Sequence, residues 1–442
     1  MALSGLDIYK LLPKTNCREC AFVTCLAFAM QLAKKSVSID KCPYLSQEAK
    51  NTLEASGQPP IKLVSMGTGE TKLNIGNETV LFRHEEKFHN PCGIGFIIED
   101  TSSENEIQSR LSYINKLKFE RVGQELNVNL IAIRQNKTKE NFLKAVKFVL
   151  DNTNLCIALI ARDAQTLEEA LKISKDRKPL IYNLNTDEYL NSAKLAKEYS
   201  LPLVAQAASL ENLSSLTKEI NNQGVCDLML DTGIKSIKDK IWDLTQIRRL
   251  ALKKSNRSLG YPILAIIDRA DPYEEAMEAA TYILKYAGLI LLKGIQTWEI
   301  LSLLTLRQNI YTDPQKPLQI EPGLYSVGDA NDKSEVLITT NFSLTYYTVL
   351  GEVEACKIPS YILSVDTEGM SVLTAWAAEK FTPEKITDSL NKFNVKDKVT
   401  HNKIIIPGYV AVISGDLEEQ SGLKVLVGPK EAAGIPSFLK NL

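Results

Sequence analysis

The chain has 442 residues, and its 52 lysines and arginines against 53 aspartates and glutamates leave a net charge of −1. That length accommodates about three domains with cores of their own, and the cancelled charge provides no field to recruit nucleic acid or an anionic membrane. No apolar run reaches bilayer-spanning length and Met1–Asp7 does not read as a secretory signal, so a cytoplasmic protein with no nucleic-acid or membrane partner is expected.

In chain order, Leu6–Pro13 reads as a short helix stopped by proline, followed by Asn16–Cys25 and, further on, Cys42-Pro43. Cys17, Cys20, Cys25 and Cys42 thus fall in the spacing C-x2-C-x4-C-x16-C. Thiolates are the preferred ligands of iron–sulfur clusters, and four compactly spaced cysteines are the usual holders of a 4Fe–4S cube. Zinc is the alternative. Structural zinc sites usually carry a C-x2-C pair at both ends, however, whereas here the fourth cysteine stands alone before a proline. A helical pattern over Ala21–Ala33 places Cys25 in its first turns, where backbone amides favour an anionic cluster. A second helix is expected over Ser46–Ala55, then a linker, Ser56-Gly57-Gln58-Pro59-Pro60. Residues 1–58 form a module with little core of its own, which a cluster would help to stabilise. Cys92, Cys156, Cys226 and Cys356 are dispersed and read as core thiols, not a disulfide framework.

Residues 59–322 alternate short apolar runs with amphipathic helices. The runs are Gly95–Glu99, Asn129–Ile133, Cys156–Ala161, Leu180–Asn183, Leu203–Gln206, Asp227–Leu230, Ile263–Asp268 and Leu289–Leu292. Eight βα units at about 30-residue spacing predict a TIM (β/α)8 barrel, with an open doubly wound sheet as the alternative. Thr79–His89 reads as a hairpin plugging the barrel bottom. Polar residues at the strand ends, where barrel chemistry would lie, are Arg162, Asp163, Asn185, Gln206, Asp231, Asp268, Arg269 and Lys293. Asp163, Asp231 and Asp268 could serve as acids or bases, but an aspartate after a strand is a common helix cap, and capping is the expected role. His84 and His89 would face opposite sides of a strand and His401 is isolated, so no catalytic triad or shared histidine metal site can be assembled.

Residues 323–442 read as a small Rossmann-like αβ sandwich with strands Glu335–Thr340, Tyr361–Val365, Lys403–Ile406, Tyr409–Ile413 and Lys424–Val427. Ligands in such sheets sit at the carboxyl ends of strands, here Thr339-Thr340-Asn341, Asp366–Ser371, Ser414-Gly415-Asp416 and Gly428-Pro429. These ends are rich in Gly, Ser and Thr, which suits close approach to a large flat ligand, and they lack the glycine signatures of nucleotide sites.

The motif N-C-x-E-C-x3-T-C…C-P, followed by a barrel and a Rossmann-like domain, resembles the large (gamma) subunits of the corrinoid iron–sulfur proteins of the acetyl-CoA (Wood–Ljungdahl) pathway. The resemblance implies an α/β chain of three parts: an iron–sulfur domain, a TIM barrel and a corrinoid-binding domain. It implies that Cys17, Cys20, Cys25 and Cys42 ligate a 4Fe–4S cluster. It further implies that Thr340, Tyr346, the loop Gly369, Met370, Ser371, Val372, Leu373 and Thr374, and then Gly434, Ile435 and Pro436 contact a cobamide. The D-x-H-x-x-G motif of histidine-ligated cobalamin domains is missing, which agrees with the family's base-off binding without a protein ligand, Thr374 occupying the lower face. The implied activity is that of a corrinoid methyltransferase component. Co(I) accepts a methyl group from methyltetrahydrofolate through a partner methyltransferase and passes it to acetyl-CoA synthase/CO dehydrogenase. The cluster restores occasional Co(II). A heterodimer with the small corrinoid iron–sulfur protein subunit is also implied. From the residues alone, two other readings stay open: a cluster-bearing electron-transfer protein without corrinoid, and a pterin-binding methyltransferase using Asp163, Asn185 and Asp231.

Overall fold

A computed structural model describes residues 5–33, 37–46, 49–50, 53, 59–316 and 318–442. The chain divides into two compact units, one made of residues 1–118 and 127–311 and the other of 119–126 and 312–442. Among the described residues no helix is long and apolar enough to cross a membrane.

The strands in chain order are β1 (Val64–Met66), β2 (Leu73–Ile75), β3 (Gly93–Glu99), β4 (Lys118–Arg121), β5 (Gln124–Asn127), β6 (Leu130–Arg134), β7 (Cys156–Ala161), β8 (Leu180–Asn183), β9 (Leu203–Gln206), β10 (Leu228–Asp231), β11 (Ile263–Ile266) and β12 (Ala287–Leu292) in the first part. The C-terminal part adds β13 (Gly323–Val327), β14 (Glu335–Thr340), β15 (Ser360–Val365), β16 (Lys403–Ile406) and β17 (Lys424–Val427).

In the first unit, helices Gly5–Leu11 and Cys25–Ala33 pack together around Ile8, Leu12, Phe28 and Ala29. The helix expected over Ser46–Ala55 and the linker after it fall mostly outside the described residues. Strands β3 and β6 to β12 close into an eight-stranded parallel barrel in sequential order, as the count of apolar runs predicts. These strands are buried on both faces, inside against one another and outside against helices, which is why they read as continuous apolar runs. The βα turns end in residues that cap the next helix: Ser103, Thr138, Asp163, Ser209, Ser236 and Asp271 each accept a backbone N–H.

The barrel bottom is closed by an antiparallel hairpin, but it is β1–β2 and not Thr79–His89. Val64, Met66, Leu73 and Ile75 insert among Leu130, Cys156, Leu180 and Leu289, which lie at the amino-terminal ends of barrel strands. Two three-residue strands alternate too briefly to announce themselves. The 79–89 segment instead forms turns, with Phe82 stacked on His84 and the His89 N–H donated to Glu78 Oε1 at 3.0 Å.

Next to β12, Glu299 is fully buried beside Glu275, which already accepts the Lys293 and Gly294 N–H groups at 2.8 and 2.7 Å. Burial, and then the neighbouring Glu275 carboxylate, push the Glu299 carboxyl up to about 7. The folded chain therefore holds this proton where the unfolded chain, with the ordinary value of 4.5, releases it. Stability should fall as pH rises from 4.5 to about 7 and change no further above that. Glu299→Gln, which removes the titrating group at similar volume, should raise the melting temperature at pH 8 and not at pH 4. Thermal unfolding at the two pH values reads this directly.

In the second unit the five strands lie in the order β13-β15-β14-β16-β17, with β13 antiparallel to β15 and the other four parallel. Crossovers therefore run outward in both directions from β14 and β16, which makes the gap between those two strands a topological switch point. Tyr409–Ile413, expected to be a strand, is helical within Gly408–Ile413. A Cβ on Gly408 would lie 2.5 Å from the Gly428 carbonyl oxygen, so the chain after Pro407 hugs β17 and has no space to run as a sixth strand. The β4–β5 hairpin, an insertion between barrel elements, contributes Phe119–Leu126 to this unit. Its buried Val122 packs with Ile320 and Tyr346, and the Val122 N–H is donated to the Tyr347 hydroxyl at 3.1 Å.

Candidate functional site

Two places carry unusual chemistry. The first is the cysteine loop. Asn16, Arg18 and Ala21 adopt the left-handed conformation (φ 50°, 67° and 67°), winding the chain tightly around Cys17 and Cys20. The Asn16 side chain accepts the Cys25 N–H at 2.7 Å, and Thr24 accepts the Ala27 N–H at 3.1 Å, so this loop is tied to the start of helix Cys25–Ala33. Cys20 and Cys25 are buried, Cys42 is half-buried and Cys17 is exposed. The four thiols share one neighbourhood: burial pushes the Cys42 thiol up, and the charges of Cys20, Cys25 and Cys17 add to that. They are not drawn to a common point, since among the described residues no three His, Cys, Asp or Glu side chains form a metal-holding group. The donor set itself, three soft sulfurs in a loop and a helix start and a fourth, Cys42, after the turn Ile39–Lys41, is that of an iron–sulfur or zinc site.

The second is a cleft of about 390 Å³ at the carboxyl ends of β14 and β16, on the switch point. Its wall is mostly apolar, with Leu337, Phe342, Leu373, Ile405 and Phe438 among the lining residues. Thr339 also lines it and is paired in register with Ser364. Thr339, Thr340 and Ser364 are fully buried, and among the described residues their hydroxyls meet no hydrogen-bond partner. Unsatisfied buried hydroxyls are costly, so Thr339 in the wall of an apolar cleft, with Ser364 beside it in register, points to a ligand that carries polar groups on an apolar body, while Thr340 faces the other side of the sheet.

Of the residues the resemblance pointed to, Ser371, Val372, Leu373 and Ile435 line this cleft. The others do not form its wall. Tyr346 is buried edge-on to Tyr325 and Tyr347, with ring centres 5.2 and 5.6 Å apart. The Gly369 N–H is donated to Asn341 Oδ1 at 3.0 Å, its φ of +75° suiting glycine, and Met370 packs on the sheet's other core. Thr374 is exposed with its hydroxyl 3.0 Å from that of Ser371, while Gly434 and Pro436 frame the start of the last helix. Thr345, Thr348, Tyr409, Lys430 and Glu431 also form the wall and were not anticipated. Lys430 and Glu431 directly follow the strand end Gly428-Pro429, which was the available signal.

Asn341 organises the loop above the cleft. It is fully buried, and its Oδ1 accepts the Thr367 N–H and hydroxyl, both at 2.9 Å, and the Gly369 N–H. Asn341→Ala would strand the Thr367 and Gly369 N–H groups and release the 366–371 loop. The variant should bind a cleft ligand at least roughly tenfold more weakly, as titration of the apo-protein would show, with the barrel's melting unchanged.

The polar strand ends of the barrel are largely consumed internally. Asp163 caps a helix, accepting the Thr166 N–H at 2.7 Å, and Asn185 caps the turn Thr186–Glu188. Asp231 accepts Lys240 Nζ at 2.8 Å and the Tyr182 hydroxyl at 2.6 Å. Asp268 pairs with Lys293 at 2.5 Å, and Arg134 bridges Glu99 and Asp268. Arg269 pairs with Glu278.

Comparison with known proteins covers the whole chain. Residues 63–439 match the family described as CO dehydrogenase/acetyl-CoA synthase delta subunit, and residues 12–44 match one described as "Putative Fe-S cluster". The corrinoid/iron-sulfur protein large subunit of Moorella thermoacetica is 46% identical, covering 100% of this chain and 99% of its own. The acetyl-CoA decarbonylase/synthase complex subunit gamma of Methanothermobacter thermautotrophicus is 35% identical, with coverage of 100% and 99%. Among solved structures, dihydropteroate synthase from Thermus thermophilus is similar with a TM-score of 0.40 and 13% identity, covering 56% of this chain and all of that one, a likeness too distant to bear on function. The chain belongs to the family of the corrinoid/iron–sulfur protein large subunits and the acetyl-CoA decarbonylase/synthase gamma subunits.

Proposed function

We propose that this chain is the methyl-carrying subunit of a corrinoid iron–sulfur protein, a cytoplasmic component that turns over only with partner enzymes. The observation that carries the reading is the pairing, in one chain of this family, of a four-cysteine loop with an apolar switch-point cleft holding unpartnered hydroxyls. Cys17, Cys20, Cys25 and Cys42 would hold a 4Fe–4S cluster, and the Rossmann-like C-terminal unit would hold a base-off cobamide. When bound, these groups supply the cobalt centre that exchanges methyl groups and the low-potential electron that keeps it active.

What the chain's own residues do follows from their positions. Ser371, Val372 and Leu373 line the cleft, and Thr374 beside them offers a hydroxyl and no strong metal donor. His401, the histidine of this unit, is committed elsewhere. Its Nε2 lies 2.9 Å from the Ser334 carbonyl oxygen and its Nδ1 accepts the Lys403 N–H at 3.2 Å, at the amino-terminal side of β14 and β16. This histidine therefore does not reach the cleft and would not serve to hold the cobamide. Thr339 and Ser364 would take up polar groups of the ligand, while the apolar wall shields it from water.

The partners in this reading are the small corrinoid iron–sulfur protein subunit, a methyltetrahydrofolate methyltransferase and acetyl-CoA synthase/CO dehydrogenase. The rival in which the barrel itself binds a pterin loses its main supports, since Asp163, Asn185 and Asp231 spend their hydrogen bonds within the chain. Incubation of the reduced protein with labelled methyltetrahydrofolate and the methyltransferase should leave about one methyl group on each chain. No transfer, with cobalt present, would refute the carrier role.

A further inference from the structure

At the amino-terminal end of the barrel, opposite the strand ends where barrel chemistry lies, a cleft of about 610 Å³ has four cations in its wall and no carboxylate. The cations are Lys62, Lys218, Lys254 and Arg257, all of which can only donate hydrogen bonds. The uncharged part of the wall is turned the same way. Lys62 Nζ donates to the Tyr261 hydroxyl at 3.3 Å, and that hydroxyl donates in turn to Asn221 Oδ1 at 3.0 Å. Ser258 Oγ donates to Asn256 Oδ1 at 2.7 Å. Both asparagines thus spend their oxygen within the chain and keep their amide NH2 groups free to donate.

The surrounding acids leave this charge standing. Glu219, next to Lys218, is engaged with the Tyr189 hydroxyl at 2.5 Å, and Asp227, whose charge acts on Lys62, stands outside the wall. Lys218 and Lys254 are exposed and, among the described residues, pair with no carboxylate. Burial draws the Arg257 ionisation down with no neighbouring carboxylate to oppose it. Four cations gathered in one wall repel one another, an arrangement that an entering anion relieves.

We propose that this cleft is a binding site for a phosphate group, carried on a small molecule or free. A carboxylate brings one charge on two oxygens, whereas a phosphate brings up to two charges on three, the better match to a guanidinium, amide donors and lysine point charges together. The cleft also has the size of a small-molecule site. Arg257 donates to the Pro59 carbonyl oxygen at 3.0 Å and the Lys62 N–H to that of Gly260 at 3.0 Å, so an occupant also fastens residues 59–62 to 256–261. The inference uses neither the cluster nor the cobamide and stands or falls apart from the methyl-carrier reading.

The test titrates the full chain, purified with its smaller subunit, with inorganic phosphate, pyrophosphate and glycerol phosphate at constant ionic strength. Pyrophosphate should bind at about one per chain, and hydrogen exchange should slow at 59–62 and 256–261. Lys218→Ala combined with Lys254→Ala should weaken binding roughly tenfold or more, with melting in phosphate-free buffer unchanged. Asn256→Asp, which keeps the acceptor for Ser258 but replaces the amide donor by a carboxylate oxygen, should weaken it at least as much. The pair Lys144→Ala with Lys147→Ala, exposed on helix Lys139–Asn152, should leave binding as it is. Glycerol phosphate binding tighter than inorganic phosphate assigns the site to a phosphate ester, and the reverse order to the free ion; either supports it. Failure of all three probes to bind, equal weakening by the distant lysine pair, protection on another face, or binding only of a long polyanion such as heparin would overturn the assignment.

Discussion

Cys20→Ala should empty the amino-terminal module of iron, from about four atoms per chain to none, and should unfold that module while the barrel stays intact. Cys20 is one of the two buried cysteines of the set and belongs to the small core of Ile8, Leu12, Phe28 and Ala29. That core is too slight to stand without a cross-link. A cube bridging Cys17, Cys20 and Cys25 in one loop to Cys42 further along would close the chain at both ends of helix Cys25–Ala33. Loss of one buried sulfur therefore removes both a ligand and a packing group. Iron analysis, the broad visible absorption of the cluster and protease sensitivity of residues 5–46 measure the three consequences. Of the dispersed cysteines read as core thiols, Cys92 and Cys156 are buried but Cys226 is exposed, so Cys226→Ala serves as the comparison and should change none of them.

Lys240→Met should destabilise the barrel by about 3–5 kcal/mol. Lys240 and Asp231 are both almost fully buried and 2.8 Å apart, and Asp231 also accepts the Tyr182 hydroxyl and the Gly233 N–H at 2.9 Å. The position of the Tyr182 hydroxyl records how closed the site is: burial, and then the Asp231 charge, push its ionisation well above the usual range. Removing the ammonium group strands a carboxylate among groups that cannot neutralise it. On a domain of this size the cost corresponds to a fall of roughly 10 °C in melting temperature. The double change Lys240→Met with Asp231→Asn removes the stranded charge and should recover most of the loss. If the single variant melts within a degree or two of the parent, the pair is not the lock on the barrel mouth that its geometry indicates.

The barrel was legible because parallel strands packed on both faces must be apolar throughout, so Cys156–Ala161, Leu180–Asn183 and Leu203–Gln206 announced themselves residue for residue. Elements set by distant contacts were not legible. The plug β1–β2 is too short to show alternation, and Tyr409–Ile413 has a strand-like composition that the close approach of Gly408 to β17 overrides. The antiparallel edge strand β13 follows a proline-rich stretch and went unread. The assignment of Phe119–Leu126 to the second unit depends on Val122 meeting Ile320 and Tyr346, about 200 residues away in sequence, which no local pattern reveals. The same division holds for the sites. Four cysteines within 26 residues, three at a loop and helix start and the fourth after a short turn, are a local signal. The cleft draws on five separate segments, so only those at glycine-rich strand ends could be named beforehand, and Thr345, Thr348 and Tyr409 enter its wall through helix packing.

The central claim is that one chain carries both a cluster and a corrinoid, and an anaerobic metal analysis with a visible spectrum tests it most directly. The account predicts roughly four irons and one cobalt per chain, with a base-off corrinoid band. Zinc in place of iron, or iron without cobalt in protein purified together with its smaller subunit, would contradict it.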